Sequence, residues 1–449
     1  MFASRPMSVP LGRRVSSRGV LIVLLAPLAA VAVAGTVDPC HPGRPVPHGG
    51  ERLISELADA QNGLPSVAAT PGGGVVAAWW RANSGNGQVV MRRLAADAAP
   101  LAGERELLES IEGRVMLNRN RPELRALAGD AVQVAWSGNF WEQTGASQWT
   151  WRDTIMTRRY DRDGDPLTDY VPVPIQHDGE QADPAIATTA NDNTVIVWSG
   201  AGEGDTNGSF QRLFGAAGTP SEVVSLVNTV TVNGQFQPRV GGSAFRYAVV
   251  WRGNGPGDEQ GVFVRMFDAA GIALGAETRV NETTSGTQLQ PDVAMRPDGR
   301  SVVVWQGNGP GDDWGVFARR YAAGGAPLGG EIAVNTTTAG NQVNPSVATM
   351  PDGGFVVTWN GAGDGDDTGV FLRRFDAYGT PHGPELRVNT TTAGAQAQPA
   401  VAVARGGEIV VAWTGAGQGV DSGIFAQAYA RPLNLHRSGF EPDDAACVP

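Results

Sequence analysis

Few residues of the kinds that usually carry chemistry are present. The 449-residue chain has only two cysteines and five histidines, and their spacing matches no zinc site. No serine stands in the Gly-x-Ser-x-Gly phrase of a nucleophile elbow. Aromatic residues make up only 7% of the sequence, whereas 61 residues are glycine, which favours short strands and tight turns over helices. The sequence therefore shows no catalytic constellation, and calcium is the one candidate cofactor.

Long apolar runs are also missing after the N-terminus. Residues 1–34 hold four arginines followed by the uncharged segment 20–33, and Ala34 ends a small-residue cleavage phrase. This pattern predicts a secretory signal peptide, whose apolar core is too short to span a bilayer. No later segment is apolar enough for a membrane span, so we expect a secreted or periplasmic protein once residues 1–34 are removed.

The charge is strongly unbalanced toward acid. The formal net charge is −11, and loss of the four signal-peptide arginines takes it to −15. A surface of this sign repels nucleic acid and anionic lipid, and it attracts cations or basic partners. Nucleic acid is therefore not an expected partner.

The two cysteines, Cys40 and Cys447, stand near the two ends of the mature chain. In an exported protein an isolated pair is more often bridged than metal-binding. We predict a disulfide between them, with two free thiols or an intermolecular bond as the alternatives.

An internal repeat organises the chain between these ends. Seven copies of a Val/Ala-Trp phrase occur, and the last four of their tryptophans stand 54 residues apart. Such a period predicts one closed repeat architecture rather than several domains. The tryptophans end apolar strands and are expected to be packing residues. Each copy opens at a proline, and these opening prolines are Pro65, Pro122, Pro184, Pro238, Pro291, Pro345 and Pro399.

Each copy contains four strand candidates. In the sixth copy they are residues 345–349, 355–359, 370–375 and 385–388, separated by glycine-rich turns. Four short antiparallel strands per unit are typical of a propeller blade. The second strand is apolar throughout, as expected for a strand covered on both faces by neighbouring blades. The sequence therefore predicts an all-β, seven-bladed β-propeller.

The seventh copy lacks its fourth strand, and the missing phrase stands at the other end of the chain. Residues 51–54 match 385–388 rather than the start of a repeat. We therefore predict a monomeric ring closed by an N-terminal strand, with a linker over 35–49, the propeller over 50–434 and a tail over 435–449. Such a closure would bring Cys40 and Cys447 together at the seam.

The phrases VVVW, GVFARRY and VNTTT, as in residues 302–338, resemble a poorly characterised repeat of large secreted and cell-surface bacterial proteins. The resemblance covers most of residues 50–430. It implies extracytoplasmic binding or a structural role, sometimes beside calcium-binding or adhesive modules, and no defined reaction. The tail phrase Gly439-Phe440-Glu441 resembles the terminal motif of many secreted proteobacterial proteins.

Acidic, glycine-rich loops follow the repeat tryptophans. Their carboxylates could ligate calcium together with backbone carbonyls. In the favoured interpretation each aspartate instead caps its own turn by accepting backbone N–H groups, because a residue repeated in nearly every copy more often serves the fold. The calcium candidates are Asp258, Asp312, Asp364, Asp366 and Asp367.

The second copy departs most from the repeat, with an enlarged loop rich in aromatic residues. Flat apolar faces beside polar groups are what a sugar or peptide binder needs, although the rings could simply pack the loop onto the disc. The fifth copy adds a tryptophan on the same predicted face. The candidate ligand-binding residues are Phe140, Trp141, Glu142, Trp149, Trp151, Asp153 and Trp314.

These features favour a secreted, non-enzymatic binding propeller for an extracellular glycan or protein, with its site near the second blade. Two alternatives stay open. One is a hydrolase or lyase of extracellular polysaccharide, for which Glu142 and Asp153 are the first carboxylate candidates. The other is a structural propeller stabilised by calcium.

Overall fold

A computed structural model describes residues 43–57, 60–83, 86–107, 115–117, 121–145, 148–175 and 179–431. These residues form seven antiparallel sheets, and the only helical segments among them are the short 3-10 turns Ala128–Asp130 and Ala190–Asp192. The sheets follow one another around a ring, with the first strands of successive blades in contact. The predicted seven-bladed β-propeller is therefore confirmed. Within the described ranges, no helix has the length and apolarity to cross a membrane.

The strands of the first three blades differ most from one another. In blade 1 they are Gln61–Ala69, Val75–Asn83, Asn86–Leu94 and Arg105–Glu106. In blade 2 two short segments share the first-strand position, and the set is Val115–Leu117, Glu123–Ala126, Val132–Gly145, Gln148–Tyr160 and Val171–Pro172. In blade 3 they are Gln181–Thr188, Thr194–Gly202, Asp205–Phe214 and Pro220–Leu226.

The remaining blades are more regular. Blade 4 consists of Gln235–Gly242, Arg246–Gly255, Asp258–Asp268 and Thr278–Arg279. Blade 5 consists of Gln288–Met295, Ser301–Gly309, Asp312–Tyr321 and Ile332–Ala333. Blade 6 consists of Gln342–Thr349, Phe355–Gly363, Asp366–Phe375 and Leu386–Arg387. Blade 7 contributes Gln396–Val403, Ile409–Gly417 and Val420–Ala430, and its outer strands are Arg52–Leu53 and Val46–Pro47.

The second and third strands are longer than the sequence indicates, because the loop after each repeat tryptophan is itself part of a hairpin. In blade 6 the ladder continues past Trp359 until Gly363 pairs with Asp366. Only Asp364 and Gly365 lie between them, and Gly365 has a φ of 73°. Asp-Gly is a preferred two-residue hairpin turn because its residues tolerate positive φ. The predicted acidic loop of blade 6 is therefore a two-residue hairpin tip.

The repeat tryptophans form the core between blades, as expected. All seven are 3% exposed or less. In five blades the ring packs against a phenylalanine on the third strand, with centroids 6.0 to 6.3 Å apart. Apolar side chains of adjacent blades join each tryptophan in clusters that cross the blade boundary. Burial of this surface holds each blade against the next.

The N-terminal segment completes blade 7. Leu53 pairs with Phe425 on the last strand, and Pro47 pairs with Tyr429 further along it. Strand pairing thus begins at Val46, inside the segment predicted as a linker over 35–49. Residues 51–54 occupy the fourth-strand position, as the sequence indicates.

The seam uses the same polar contacts as the internal boundaries. Arg92 of blade 1 donates to the carbonyl of Ile54 at 2.7 Å, just as Arg373 donates to the carbonyl of Val334 at 2.9 Å. The Glu51 carboxylate accepts the backbone N–H of Thr390 at 2.6 Å, as the equivalent glutamates do in other blades. The N-terminal strand therefore replaces a repeat strand in structure as well as in sequence.

Several predictions fall on residues outside the described ranges. The signal peptide over 1–34, the disulfide between Cys40 and Cys447, and the tail over 435–449 are among them. They stay predictions.

Truncating Ile54 tests the closure. Its side chain is fully buried against blade 1 and blade 7, so Ile54→Ala should lower the free energy of unfolding by about 2–5 kcal/mol. Urea unfolding measures the change, and Leu57→Ala, which removes a 43% exposed side chain nearby, is the control with little expected effect. Equal midpoints for Ile54→Ala and wild type would show that this segment is not part of the ring.

Candidate functional site

The residues that differ most between the repeat copies lie on one face of the disc. It carries the hairpin tips between second and third strands and the residues that precede the opening prolines, and we name it the hairpin face. The tips and these residues lie on the same face because the first strand is antiparallel to the second, so its start lies beside the end of the second strand. In blade 6, for example, Gln342 at the start of the first strand pairs with Gly361 near the end of the second. The enlarged segment of blade 2 and Trp314 lie in such hairpins.

A strained residue precedes the opening proline in six of the seven blades. These residues adopt left-handed backbone conformations with φ between 47° and 58°, and the first strand changes register at each of them. The left-handed region is unfavourable for residues other than glycine and costs of order 1 kcal/mol each. The six are Leu64, Asp183, Gln237, Gln290, Asn344 and Gln398.

The strained residues surround the mouth of the axial channel. A cavity of about 180 Å³ is lined by all six of them and by Arg121, which precedes the opening proline of blade 2. We name these seven residues the mouth ring. Their backbone conformation is imposed by the repeat, but their side chains differ from blade to blade: leucine, arginine, aspartate, asparagine and three glutamines. The fold thus fixes the ring and leaves its chemistry free.

Hydrogen bonds connect neighbouring members of the mouth ring. Asn344 donates from its side chain to Asn360 Oδ1 at 2.9 Å, and the same oxygen accepts the N–H of Gln398 in the next blade at 3.1 Å. Thr414 repeats the pattern, since its hydroxyl donates to Gln398 Oε1 at 3.3 Å and accepts the N–H of Leu64 at 3.1 Å. These bonds hold the ring in one arrangement.

Other members keep free hydrogen-bonding capacity. The Oε1 atom of Gln290 is buried and accepts no hydrogen bond from the part of the chain that the structure describes. Gln237 accepts a bond from Arg252 Nε at 3.1 Å, and the Arg252 guanidinium lies 4.8 Å from the centre of the Phe236 ring. Burial lowers the pKa of Arg252, and Asp183 opposes that shift. The mouth therefore offers amide, guanidinium and carboxylate groups side by side.

The enlarged loop predicted in blade 2 is a long hairpin. Its strands Val132–Gly145 and Gln148–Tyr160 extend beyond those of the regular blades, and the register sets Trp141 opposite Trp151 and Trp149 opposite Gln143. The structure describes only the backbone of Phe140, Trp141, Glu142, Trp149 and Trp151. Asp153 is half-buried and pairs with Asn139, and Trp314 of blade 5 is half-buried.

Glu142 and Asp153, the carboxylates first considered for hydrolysis, are not cross-strand partners. Glu142 pairs with Thr150, three residues from Asp153 along the same strand. At the rise of a β-strand this corresponds to roughly 10 Å between their backbone positions.

The repeated aspartates bond to their own turns. In blade 5 Asp312 Oδ1 accepts the N–H of Trp314 at 3.0 Å, and Oδ2 accepts the Asn335 side chain at 2.7 Å. Asn335 also accepts the N–H of Val316 at 2.8 Å and donates to Gln342 at the start of blade 6 at 3.3 Å. Asp, Asn and Gln thus form a polar chain across the blade boundary, which blades 3 and 4 repeat.

These contacts match the turn-capping interpretation of Asp258, Asp312 and Asp366, whose Oδ2 atoms all accept an asparagine side chain. Asp364 and Asp367 are exposed at the tip of blade 6. Among the described residues no group of three or more His, Cys, Asp or Glu side chains has the arrangement of a metal site. Calcium binding stays a prediction for all five.

Sequence reasoning missed the mouth ring. The opening prolines served only to align the copies, although the residue before each of them varies in a way that the fold does not require. A residue forced away from helical conformation by the following proline was the available signal.

Comparisons with known proteins support the fold. A scan against protein-family models found no match, and a sequence search of the curated proteins found none either. A protein of unknown function from Dyadobacter fermentans has a TM-score of 0.51 and 13% identity, covering 87% of this chain and 100% of that one. A prolyl endopeptidase has a TM-score of 0.49 and 18% identity, covering 85% of this chain and 48% of that one.

An α-L-arabinanase from Penicillium chrysogenum has a TM-score of 0.47 and 14% identity, covering 86% of this chain and 98% of that one. At 13% identity the likeness to the Dyadobacter fermentans protein shows the fold alone.

Placing a second carboxylate in the polar chain separates turn capping from calcium binding. Asn335→Asp would face Asp312, so the pKa of the new carboxyl should lie above its unfolded value of about 3.9. We expect a loss of about 2 kcal/mol or more at neutral pH. A group whose folded pKa is raised is better tolerated at low pH, so the loss should shrink as pH falls toward 4.

Thermal unfolding between pH 4 and 8 measures this effect, and Asn341→Asp, an exposed position of the same loop, is the control with the same charge change. Stability restored by calcium rather than by acid would establish a cation site and contradict the turn-capping interpretation.

Proposed function

We propose that the mature protein is an exported, non-enzymatic binding propeller that holds a glycan at the hairpin face, between the mouth ring and the extended hairpin of blade 2. The observation that carries the proposal is the mouth ring itself. Its backbone is fixed by strained positions in six blades, while its side chains are polar in all but one. A scaffold this rigid orders few groups on binding, which favours affinity.

The chemistry of the mouth suits sugar hydroxyls. A hydroxyl both donates and accepts a hydrogen bond, and the ring offers amides that do both, with Arg121 as a donor and Asp183 as an acceptor. Gln290 lines the mouth, and its Oε1 atom accepts no hydrogen bond from the described residues. A rotation of its side chain would let a ligand hydroxyl supply the missing donor. The cavity of about 180 Å³ accommodates one sugar ring rather than a flat protein surface.

Aromatic residues on the same face supply the apolar part of the site. Sugar rings stack on flat aromatic faces while their hydroxyls bond to neighbouring polar groups. The blade 2 hairpin carries Trp141, Trp149 and Trp151, and Trp314 is half-buried on blade 5. Both hairpins project from the face that bears the mouth ring, so one extended glycan could contact ring and hairpin together.

The proposal places the protein outside the cytoplasm. The features that support export are the basic and apolar segments of residues 1–34 and the single pair Cys40 and Cys447. Intact-mass measurement of the exported protein should give a chain that begins at Gly35 and that is lighter by two hydrogens than its dithiol form. A chain that retains residues 1–34 would contradict the export prediction.

A glycan-array screen followed by titration tests the binding function. Wild-type protein should bind a glycan, and changing Trp141, Trp149 and Trp151 together to alanine should weaken binding at least about 10-fold through lost stacking. Gln290→Ala should weaken it by about 3- to 10-fold through one lost hydrogen bond.

Tyr378→Ala is the matched aromatic control, because this 81% exposed residue lies in a turn between third and fourth strands, on the face opposite the hairpins. Equal binding by all variants would place the site elsewhere. A bound oligosaccharide that is shortened during incubation would replace the binding function with the hydrolase or lyase alternative.

A further inference from the structure

The axial channel contains a second group of residues that the repeat does not require. A cavity of about 310 Å³ is lined by the first strands of all seven blades. Arg121, Arg239 and Asp292 line both this cavity and the mouth. The channel is therefore continuous with the mouth ring, and a ligand seated at the mouth can extend a substituent into it.

Comparison of equivalent positions shows which lining residues are unusual. One residue after the opening proline, four blades have Ser66, Ala185, Ser346 and Ala400, whereas blades 2, 4 and 5 have Glu123, Arg239 and Asp292. Three residues after it, six blades have alanine or glycine, and only blade 2 has a large side chain, Arg125. Small residues satisfy the fold at these positions, so the repeat itself does not require charged side chains there.

The two carboxylates of the channel, Asp292 and Glu123, accept hydrogen bonds from other groups of the chain. Asp292 accepts the N–H groups of Val293 and Val347, both at 2.9 Å, with one oxygen each. It thereby ties blade 5 to blade 6. Glu123 is buried and accepts a bond from the hydroxyl of Ser66 at 3.4 Å.

The three arginines of the channel each make one hydrogen bond with the described residues. Arg121 donates to the carbonyl of Pro399 at 3.1 Å, Arg125 to that of Leu124 at 3.1 Å and Arg239 to that of Pro238 at 2.9 Å. Each of these acceptors is neutral, and within the described ranges none of the three arginines forms an ion pair with a carboxylate. A guanidinium has five N–H donors in a planar fork, so most of their donors are available to an occupant of the channel.

Unpaired cations in a recessed cavity favour an anion. Burial lowers the pKa of Arg121, and the like charge of Arg239 lowers it further against the opposing effects of Glu123 and Asp292. An anionic group between Arg121 and Arg239 would remove that repulsion and bond to both forks. Planar guanidinium forks match the geometry of a carboxylate, which they can bind through two parallel hydrogen bonds.

We propose that the axial channel binds the carboxylate of an acidic sugar whose ring sits at the mouth, with Arg121 and Arg239 as its main ligands and Arg125 deeper in the channel. This inference rests on the proposed glycan-binding function and names its ligand class as a uronate-containing glycan. The small residues of the other blades leave room for the carboxylate, and the mouth ring holds the hydroxyls.

Titration of the full mature chain with matched ligands tests this proposal. The probes are trisaccharides of galacturonate, mannuronate and glucuronate, each beside its carboxyl-reduced form, which keeps the hydroxyls but lacks the charge. We expect at least one uronate trisaccharide to bind, and its reduced form to bind at least about 10-fold more weakly. Arg239→Gln and Arg121→Gln should each weaken binding of the uronate about 10- to 100-fold. Arg239→Gln should have little effect on the reduced form, whereas Arg121→Gln also removes a donor to the sugar hydroxyls and should weaken the reduced form by a smaller factor.

Arg162→Gln is the control, because it removes the same charge from an exposed side chain in a turn of blade 2. Among the described residues Arg239 bonds only to the carbonyl of its own neighbour, so its variant should keep the thermal stability of the wild type even where Arg121→Gln does not.

The outcomes distinguish the two proposals. Equal affinity for a uronate trisaccharide and its reduced form, with harmless arginine variants, would overturn the carboxylate site and leave glycan binding intact. Loss of uronate binding in the arginine variants but not in Arg162→Gln would support both. Binding of free malonate without any trisaccharide would overturn the sugar as the carrier of the carboxylate, and silence toward every probe would overturn this inference.

Discussion

A ring of blades must close on itself, and every other feature of this protein depends on that closure. Several boundaries repeat one set of contacts: apolar packing around the tryptophan, an arginine that donates to the neighbouring fourth strand, and a glutamate that accepts from the adjacent backbone. Blade 2 instead uses Tyr160, which donates to the Leu107 carbonyl, and blade 7 has Gln427 where blade 6 has Arg373. The seam at blade 7 reproduces them with Arg92 and Glu51. Because the seam restores these contacts, the first strands of all seven blades line one channel.

The first strands meet around the axis, and this arrangement both strains the residues before the opening prolines and brings their side chains together at the mouth. The residue before the opening proline is left-handed in six blades, a conformation that persists only where the surrounding structure dictates it. Asn360 and Thr414 supply part of that constraint, because their side-chain oxygens accept the N–H groups of Gln398 and Leu64 in the next blade. The same geometry directs seven variable side chains toward one mouth. The repeat therefore determines the backbone of the mouth ring, and the residues that differ between blades determine its chemistry.

The repeated aspartates act within the fold. Asp312 and its equivalents accept two hydrogen bonds each and begin a polar chain that reaches the next blade through Asn335. At the seam neutral groups take their place: Val420 stands where the aspartate would be, and the Ser55 hydroxyl accepts the N–H of Ile424 at 3.0 Å. The channel departs from the acidic character of the whole chain, since among the described residues three arginines and two carboxylates line it in a protein of net charge −11.

The sequence by itself determined the blade count from its repeated phrase, the strand composition from apolar segments between turns, and the N-terminal closure from the displaced strand phrase at 51–54. All three are patterns along the chain, so they need no knowledge of which residues meet in space. It also indicated the packing role of the tryptophans and the departure in blade 2. Only the tertiary structure decided which polar residues meet. Arg121, Arg239 and Gln290 are separated by more than fifty residues at each step, and their proximity arises from strands that share an axis. No local pattern encodes a site assembled from single residues of separate blades.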